Sequence, residues 1–94
     1  MKHTIHSTEE LGMLIRAVRK SAQVRQDDLA GTAQVSRQFT VDVEKGKPTV
    51  QFGLVLKLLA ELGISLTADI PDHASNKLAE LKAKQNTARE HGKP

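Results

Sequence analysis

The chain has no cysteine, no tryptophan and no tyrosine, and two phenylalanines are its only aromatic residues among 94. Without cysteine there is neither a disulfide framework nor a thiolate metal site, which excludes stapled secreted scaffolds and zinc ribbons. No apolar stretch approaches the roughly 20 residues of a membrane-spanning helix. Residues 1–8, MKHTIHST, are too polar for a signal peptide, so a cytoplasmic protein is expected. There is no glycine-rich phosphate cradle and no convergent His–carboxylate–nucleophile set, so neither an enzyme nor a cofactor is expected. The four histidines, His3, His6, His73 and His91, are scattered without carboxylates that would complete a ligand set, and no metal site is expected. The net charge is only +3. A basic patch for nucleic acid must therefore be local rather than a property of the whole surface.

What is present is a pattern of short helices. Ser7-Thr8-Glu9-Glu10 fits a capping box, with serine at the N-cap and glutamate three residues on. Leu11, Leu14, Ile15 and Val18 follow at i, i+3, i+4 and i+7, one apolar stripe of a helix to about Ala22. Arg16, Arg19 and Lys20 fall on its other faces, either as solvated charges or, for Arg19, reaching a phosphate. From Val24 to Gly46 the chain reads as two helices joined by a tight turn. Gln26-Asp27-Asp28-Leu29-Ala30 begins the first and Ala33-Gln34-Val35 makes the turn. Ser36-Arg37-Gln38 opens the second, which Gly46 stops: serine caps the free N–H groups and glycine enters the left-handed region without a Cβ clash. The small Ala30 permits a close helix crossing, with Leu29, Val35 and Val43 as packing residues. Such a unit can present the N-terminal end of its second helix to a DNA major groove.

The order Gln26…Leu29-Ala30…Val35-Ser36-Arg37-Gln38…Val43-Glu44-Lys45-Gly46 resembles the Cro/phage-repressor (XRE-type) helix-turn-helix family. Gly46-Lys47-Pro48-Thr49-Val50, the apolar run to Leu62 and Gly63-Ile64-Ser65-Leu66 make it most similar to the HipB-type antitoxins of toxin–antitoxin modules. The resemblance covers roughly residues 7–70. It implies an all-α, lambda-repressor-like bundle of four to five helices, with one C-terminal strand pairing across a dimer. It also implies a sequence-specific repressor that autoregulates its operon, with double-stranded DNA bearing an inverted repeat, a second copy of itself and a HipA-like serine/threonine kinase toxin as partners. Localisation at the nucleoid in the cytoplasm would follow.

Carried onto this chain, the resemblance assigns base reading to Arg37 and Gln38. Arginine suits guanine and glutamine suits adenine. Phe39 joins them as a candidate base reader: either it contacts a thymine methyl or wedges near the backbone, or the helix is rotated so that it packs inside, because the family register puts an apolar residue at 40, where this chain has threonine. DNA-backbone contacts fall to Arg25, Gln26, Ser36, Lys45 and Lys47. Three departures stand out. Gln23 must end the first helix without glycine's freedom. Arg25 cannot cap the next helix with an oxygen. Asp42 places an acid near the groove, where it must accept from cytosine, pair with a neighbouring cation or lie off the contact surface.

Beyond the motif, Thr49 is the expected N-cap of a further helix over residues 50–62. Its apolar residues form two adjacent stripes, Phe52, Val55, Leu56 and Leu59 beside Leu54, Leu58 and Leu62. A small domain cannot cover both, so a second subunit is expected to bury part. Ile64, Leu66, Ala68 and Ile70 alternate with polar residues as in a half-buried strand. A lone strand is an exposed edge, and antiparallel pairing with its two-fold mate is the economical solution. The expected dimer interface is thus Leu58, Leu62, Ile64, Leu66, Ala68 and Ile70. The domain organisation is a flexible arm (1–6), the DNA-binding and dimerisation domain (7–71), and a flexible or partly helical tail (72–94). The tail either orders on a partner or simply solubilises the chain end. A stand-alone phage-type repressor, and an interaction module that has lost DNA binding, are the rival readings.

Overall fold

The computed structural model describes residues 1–91, with side chains through residue 86. It is all helical: α1 (Thr8–Ser21), α2 (Gln26–Ala33), α3 (Arg37–Lys45), α4 (Phe52–Glu61), a 3-10 turn (Asp72–Ala74) and α5 (Ser75–His91). Residues 92–94, the end of the expected tail, lie outside the described residues. No strand is assigned among the described residues. Ile64–Ile70, expected as a strand, runs without regular structure, because a single chain offers it no ladder partner.

The first four helices close on one core of Ile15 from α1, Leu29 and Ala33 from α2, Val43 from α3, and Val55, Leu58 and Leu59 from α4. α1 starts as its sequence dictates, with the Ser7 hydroxyl accepting from Glu10 N–H at 3.1 Å. The reciprocal half of the capping box is shifted: the Glu10 carboxylate accepts from His6 N–H at 2.7 Å, one residue before the N-cap. α4 begins at Phe52 with Gln51, not Thr49, in the cap position and no side-chain cap.

All four core helices end the same way. The residue after each helix turns left-handed, or follows one more turn residue that precedes it, and two successive N–H groups bond back into the last turn. The left-handed residues are Gln23, Gln34, Gly46 and Gly63. The return bonds include Val24 N to Arg19 O, Val35 N to Ala30 O, Lys47 N to Asp42 O and Ile64 N to Leu59 O, at 2.9–3.1 Å. The residue after three of these turns is apolar, and Val24, Val35 and Ile64 each pack against the core. The chain thus seals three of these four helix ends with a hydrophobic residue while changing direction. At two of the four closures glutamine does what glycine does without strain, at a cost of about 1 kcal/mol each.

One glycine was not read from the sequence. α1 crosses α3 at Gly12, where an added Cβ would stand 2.4 Å from the Val43 carbonyl oxygen and 2.7 Å from that of Glu44. Backbone meets backbone there, so no side chain fits. The crossing is tied at its open end by Thr8, whose hydroxyl donates to the Gly46 carbonyl at 2.7 Å.

The face of α4 that turns outward differs from the expected one. Leu58 is 0% exposed and belongs to the core of the single chain, so its assignment to a dimer interface is corrected. Leu62 and Ile64 are half-buried and also pack on this core; Ile64 points inward because it is the sealing residue after Gly63. With Val55, Leu58 and Leu59 inside, helical geometry sends Phe52 and Leu56 outward, at 57% and 42% exposure. Leu66, Ala68 and Ile70 are exposed.

Candidate nucleic-acid interface

α2, its turn and α3 form a helix-turn-helix, and α3 is built to stand with its N-terminus free. The Ser36 hydroxyl accepts from Phe39 N–H at 3.0 Å, which fixes the start of α3 and leaves Arg37 and Gln38 on its first exposed turn. Thr40 settles the register: it is fully buried, and its hydroxyl donates to the Ser36 carbonyl at 3.3 Å. A threonine can therefore hold the apolar position without an unsatisfied hydroxyl. Phe39 is half-buried and packs against the core, although Thr40 holds the buried position and the helix is not rotated.

Arg37 meets Arg25 and Gln26 across a shallow cleft of about 390 Å³, lined also by Arg19 and Asp27. Arg25 occupies the N-cap position of α2 with no side-chain cap bond. Its guanidinium pairs with Asp27 at 3.0 Å in solvent. The cleft thus gathers residues from the starts of two helices, two exposed arginines among them. At the other end of α3, about 13 Å away at 1.5 Å per residue, Lys45 and Lys47 are exposed. Lys47 Nζ lies 3.7 Å from an Asp42 oxygen, and Gln38 Nε2 donates to the other at 2.9 Å. Asp42 is therefore paired, with a lysine and an amide.

The residues that hold this surface together were only partly legible. Arg19 is not a solvated charge. Its Nε and Nη2 donate to the two Glu44 oxygens at 2.7 and 3.0 Å, and Nη1 donates to the Val24 carbonyl at 2.8 Å. Both side chains are almost wholly buried. The hydrogen bond to Glu44 raises the Arg19 pKa; burial opposes it and the carboxylate's charge adds to it. Gln26 joins the pair, donating from Nε2 to Glu44 at 3.0 Å. One buried ion pair thus ties the end of α1, the α1–α2 connection, the start of α2 and the last turn of α3. It fixes Gln26, one of the expected phosphate contacts, against the reading helix. A sequence signal existed: an acid in the last turn of a helix opposes the helix dipole, so Glu44 was held there for another reason.

Among the described residues, no group of three or more His, Cys, Asp or Glu is placed to hold a metal ion. None of their helices is long and apolar enough to cross a membrane.

The fold and the exposed α3 define a DNA-binding helix-turn-helix protein. No family model matches the chain. It is 48% identical over 66 residues to the uncharacterized HTH-type transcriptional regulator y4mF of Sinorhizobium fredii (strain NBRC 101917 / NGR234), a match covering 70% of this chain and 87% of y4mF. HipB, solved in complex with an O4 20mer, shares the fold with a TM-score of 0.69 over 76% of this chain and 100% of its own, at 20% identity. HipB has also been solved together with HipA and O2–O3. The restriction-modification controller protein C.AhdI from Aeromonas hydrophila aligns with a TM-score of 0.56 and 28% identity, over 62% of this chain and 84% of its own. The chain belongs to the HTH-type transcriptional regulators, of the Cro/phage-repressor (XRE) kind, and is a DNA-binding regulator rather than an enzyme.

Proposed function

We propose that the chain is a homodimeric repressor that occupies an inverted-repeat operator and serves as the antitoxin of a HipA-like serine/threonine kinase. Arg37 and Gln38 read bases, while Arg25, Gln26, Ser36, Lys45 and Lys47 contact the phosphate backbone. The observation that carries this reading is the first turn of α3. It is capped by Ser36, exposed at Arg37 and Gln38, and flanked by cations at both ends of the helix. Phosphate contacts of this kind set position, and side chains on base edges set sequence.

The dimer assignment rests on the apolar residues left outside, Phe52 and Leu56 on α4 with Leu66, Ala68 and Ile70 beyond it. Burial of this patch by a two-fold mate would let residues 64–70 pair as antiparallel strands. Two reading helices so related would meet successive major-groove faces about 34–36 Å apart. The HipB fold, and HipB's occurrence with HipA, support the antitoxin role. Residues 7–71 then form the DNA-binding and dimerisation domain, with 1–6 as an arm and 72–94 as a tail. The rival interaction module without DNA binding rests on Asp42 and on the low charge of residues 1–71; that Lys47 lies beside the Asp42 carboxylate supports the DNA-binding reading.

Two double variants test the reading. Arg37→Ala with Gln38→Ala should abolish preference for the operator over scrambled DNA while leaving weak general binding. Lys45→Ala with Lys47→Ala should weaken both alike and reduce the salt slope by up to about 1.8, two phosphates' worth. Retained preference in the first variant would refute the assignment. Co-purification with a kinase encoded beside the regulator would separate an antitoxin from a stand-alone repressor.

A further inference from the structure

Asp42 is the acid that counts against DNA binding when the sequence is read alone. Both of its side-chain partners belong to the proposed DNA-contacting set. Its Oδ1 accepts from Gln38 Nε2 at 2.9 Å, one helical turn earlier. Its Oδ2 lies 3.7 Å from Lys47 Nζ. Its main-chain carbonyl also accepts from Lys47 N–H at 3.0 Å, so the turn carrying Lys47 is fixed to the same residue. Asp42 itself is half-buried, whereas Gln38 and Lys47 are exposed.

We infer that Asp42 is a positioning residue for DNA reading, orienting the Gln38 amide so that it selects adenine and weakening, without abolishing, the contact of Lys47 with phosphate. The inference rests on Gln38 reading a base. A carboxylate only accepts hydrogen bonds, so the amide must turn its nitrogen toward Asp42. One N–H is then used, and the outward edge keeps one N–H donor beside the Oε1 acceptor. Adenine presents N7 as acceptor and its N6 amino group as donor, the complement of that edge. Guanine presents two acceptors, N7 and O6. An amide free to turn over would donate to guanine as readily. The same carboxylate offsets part of the Lys47 charge, so the residue exchanges general affinity for discrimination between bases.

The test uses the full-length chain and its upstream operator, with each base pair changed in turn, and fluorescence anisotropy across salt concentrations. Wild type should lose about tenfold or more in affinity when one particular A·T pair becomes G·C. Asp42→Asn and Asp42→Ala should shrink that penalty to under about threefold, as Gln38→Ala does. They should also bind scrambled DNA more tightly, with a salt slope steeper by less than about 0.9, the part of one phosphate contact that Lys47 does not already make in the wild type. That gain should vanish when Lys47→Ala is added. If the Asp42 variants keep the full penalty while Gln38→Ala loses it, the positioning role is wrong and Gln38 still reads the base. If Gln38→Ala also keeps it, the assignment of Gln38 fails and the inference falls with it. A uniform loss of affinity for every sequence, with a lowered melting temperature, would make Asp42 a structural residue and overturn the inference as well.

Discussion

Replacing Arg19 by alanine leaves the Glu44 carboxylate with 3% of its side chain exposed and only the Gln26 amide as a partner. Breaking a buried pair by removing one member typically costs 3–5 kcal/mol, because the remaining charge stays desolvated. The whole stability of a small domain is about 5–15 kcal/mol, so Arg19→Ala should remove about a fifth of it or more. In urea, at about 1 kcal/mol per molar, the midpoint should fall by roughly 3–5 M at equal protein concentration. A companion variant separates stability from function. Arg19→Met with Glu44→Leu replaces the pair by apolar side chains, a change that is often neutral or stabilising. It should fold nearly as well as wild type but bind DNA more weakly, because Gln26 loses its anchor. The Arg19 pKa is raised by its hydrogen bond to Glu44, and a raised base contributes fully below its unfolded value and is lost only above its folded one. The Arg19→Ala deficit should therefore stay constant as pH rises from 7 to 10. A deficit under about 1 kcal/mol, the range of exposed pairs, would refute the reasoning.

Gly12→Ala should destabilise by about 1–3 kcal/mol or more, since its Cβ would meet backbone oxygens that cannot move aside. Gly31→Ala, with nothing within 4 Å, should instead stabilise by up to about 1 kcal/mol; thermal melts of the two variants check both signs. Gln23→Gly should gain up to about 1 kcal/mol by relieving the left-handed backbone at φ 59, and a lowered melting temperature would contradict this. Leu56→Asp should give a folded monomer by light scattering, whereas Leu58→Asp should not fold. The reverse pattern would put the interface where the apolar spacing alone had placed it.

The helix-turn-helix was legible because its signals are local. Ser36 and Gly46 mark the ends of α3, and Leu29, Ala30 and Val43 take buried positions that their spacing dictates. Thr40 kept the family register because its hydroxyl bonds within its own helix, a solution invisible to a reading that counts only apolar residues. The buried pair of Arg19 and Glu44 joins residues 25 positions apart, beyond the reach of any local pattern. Gly12 looks like an ordinary glycine until α3 is laid across it. On α4 the two apolar stripes carry equal weight in sequence, and only the orientation of the other three helices decides that Leu58 turns inward and Leu56 outward. The alternation from Ile64 to Ile70 was ambiguous for a similar reason. Ile64 closes α4 against the core, and residues 65–70 carry no regular structure in the single chain.

The most direct test of the central claim is the affinity of the full-length protein for its own upstream DNA, measured by fluorescence anisotropy against scrambled DNA over a range of salt concentrations. Specific recognition predicts salt-sensitive binding to an upstream inverted repeat at least about a thousandfold tighter than to the scrambled sequence. Equal, weak binding to both, vanishing near physiological salt, would contradict a repressor that reads its operator through Arg37 and Gln38.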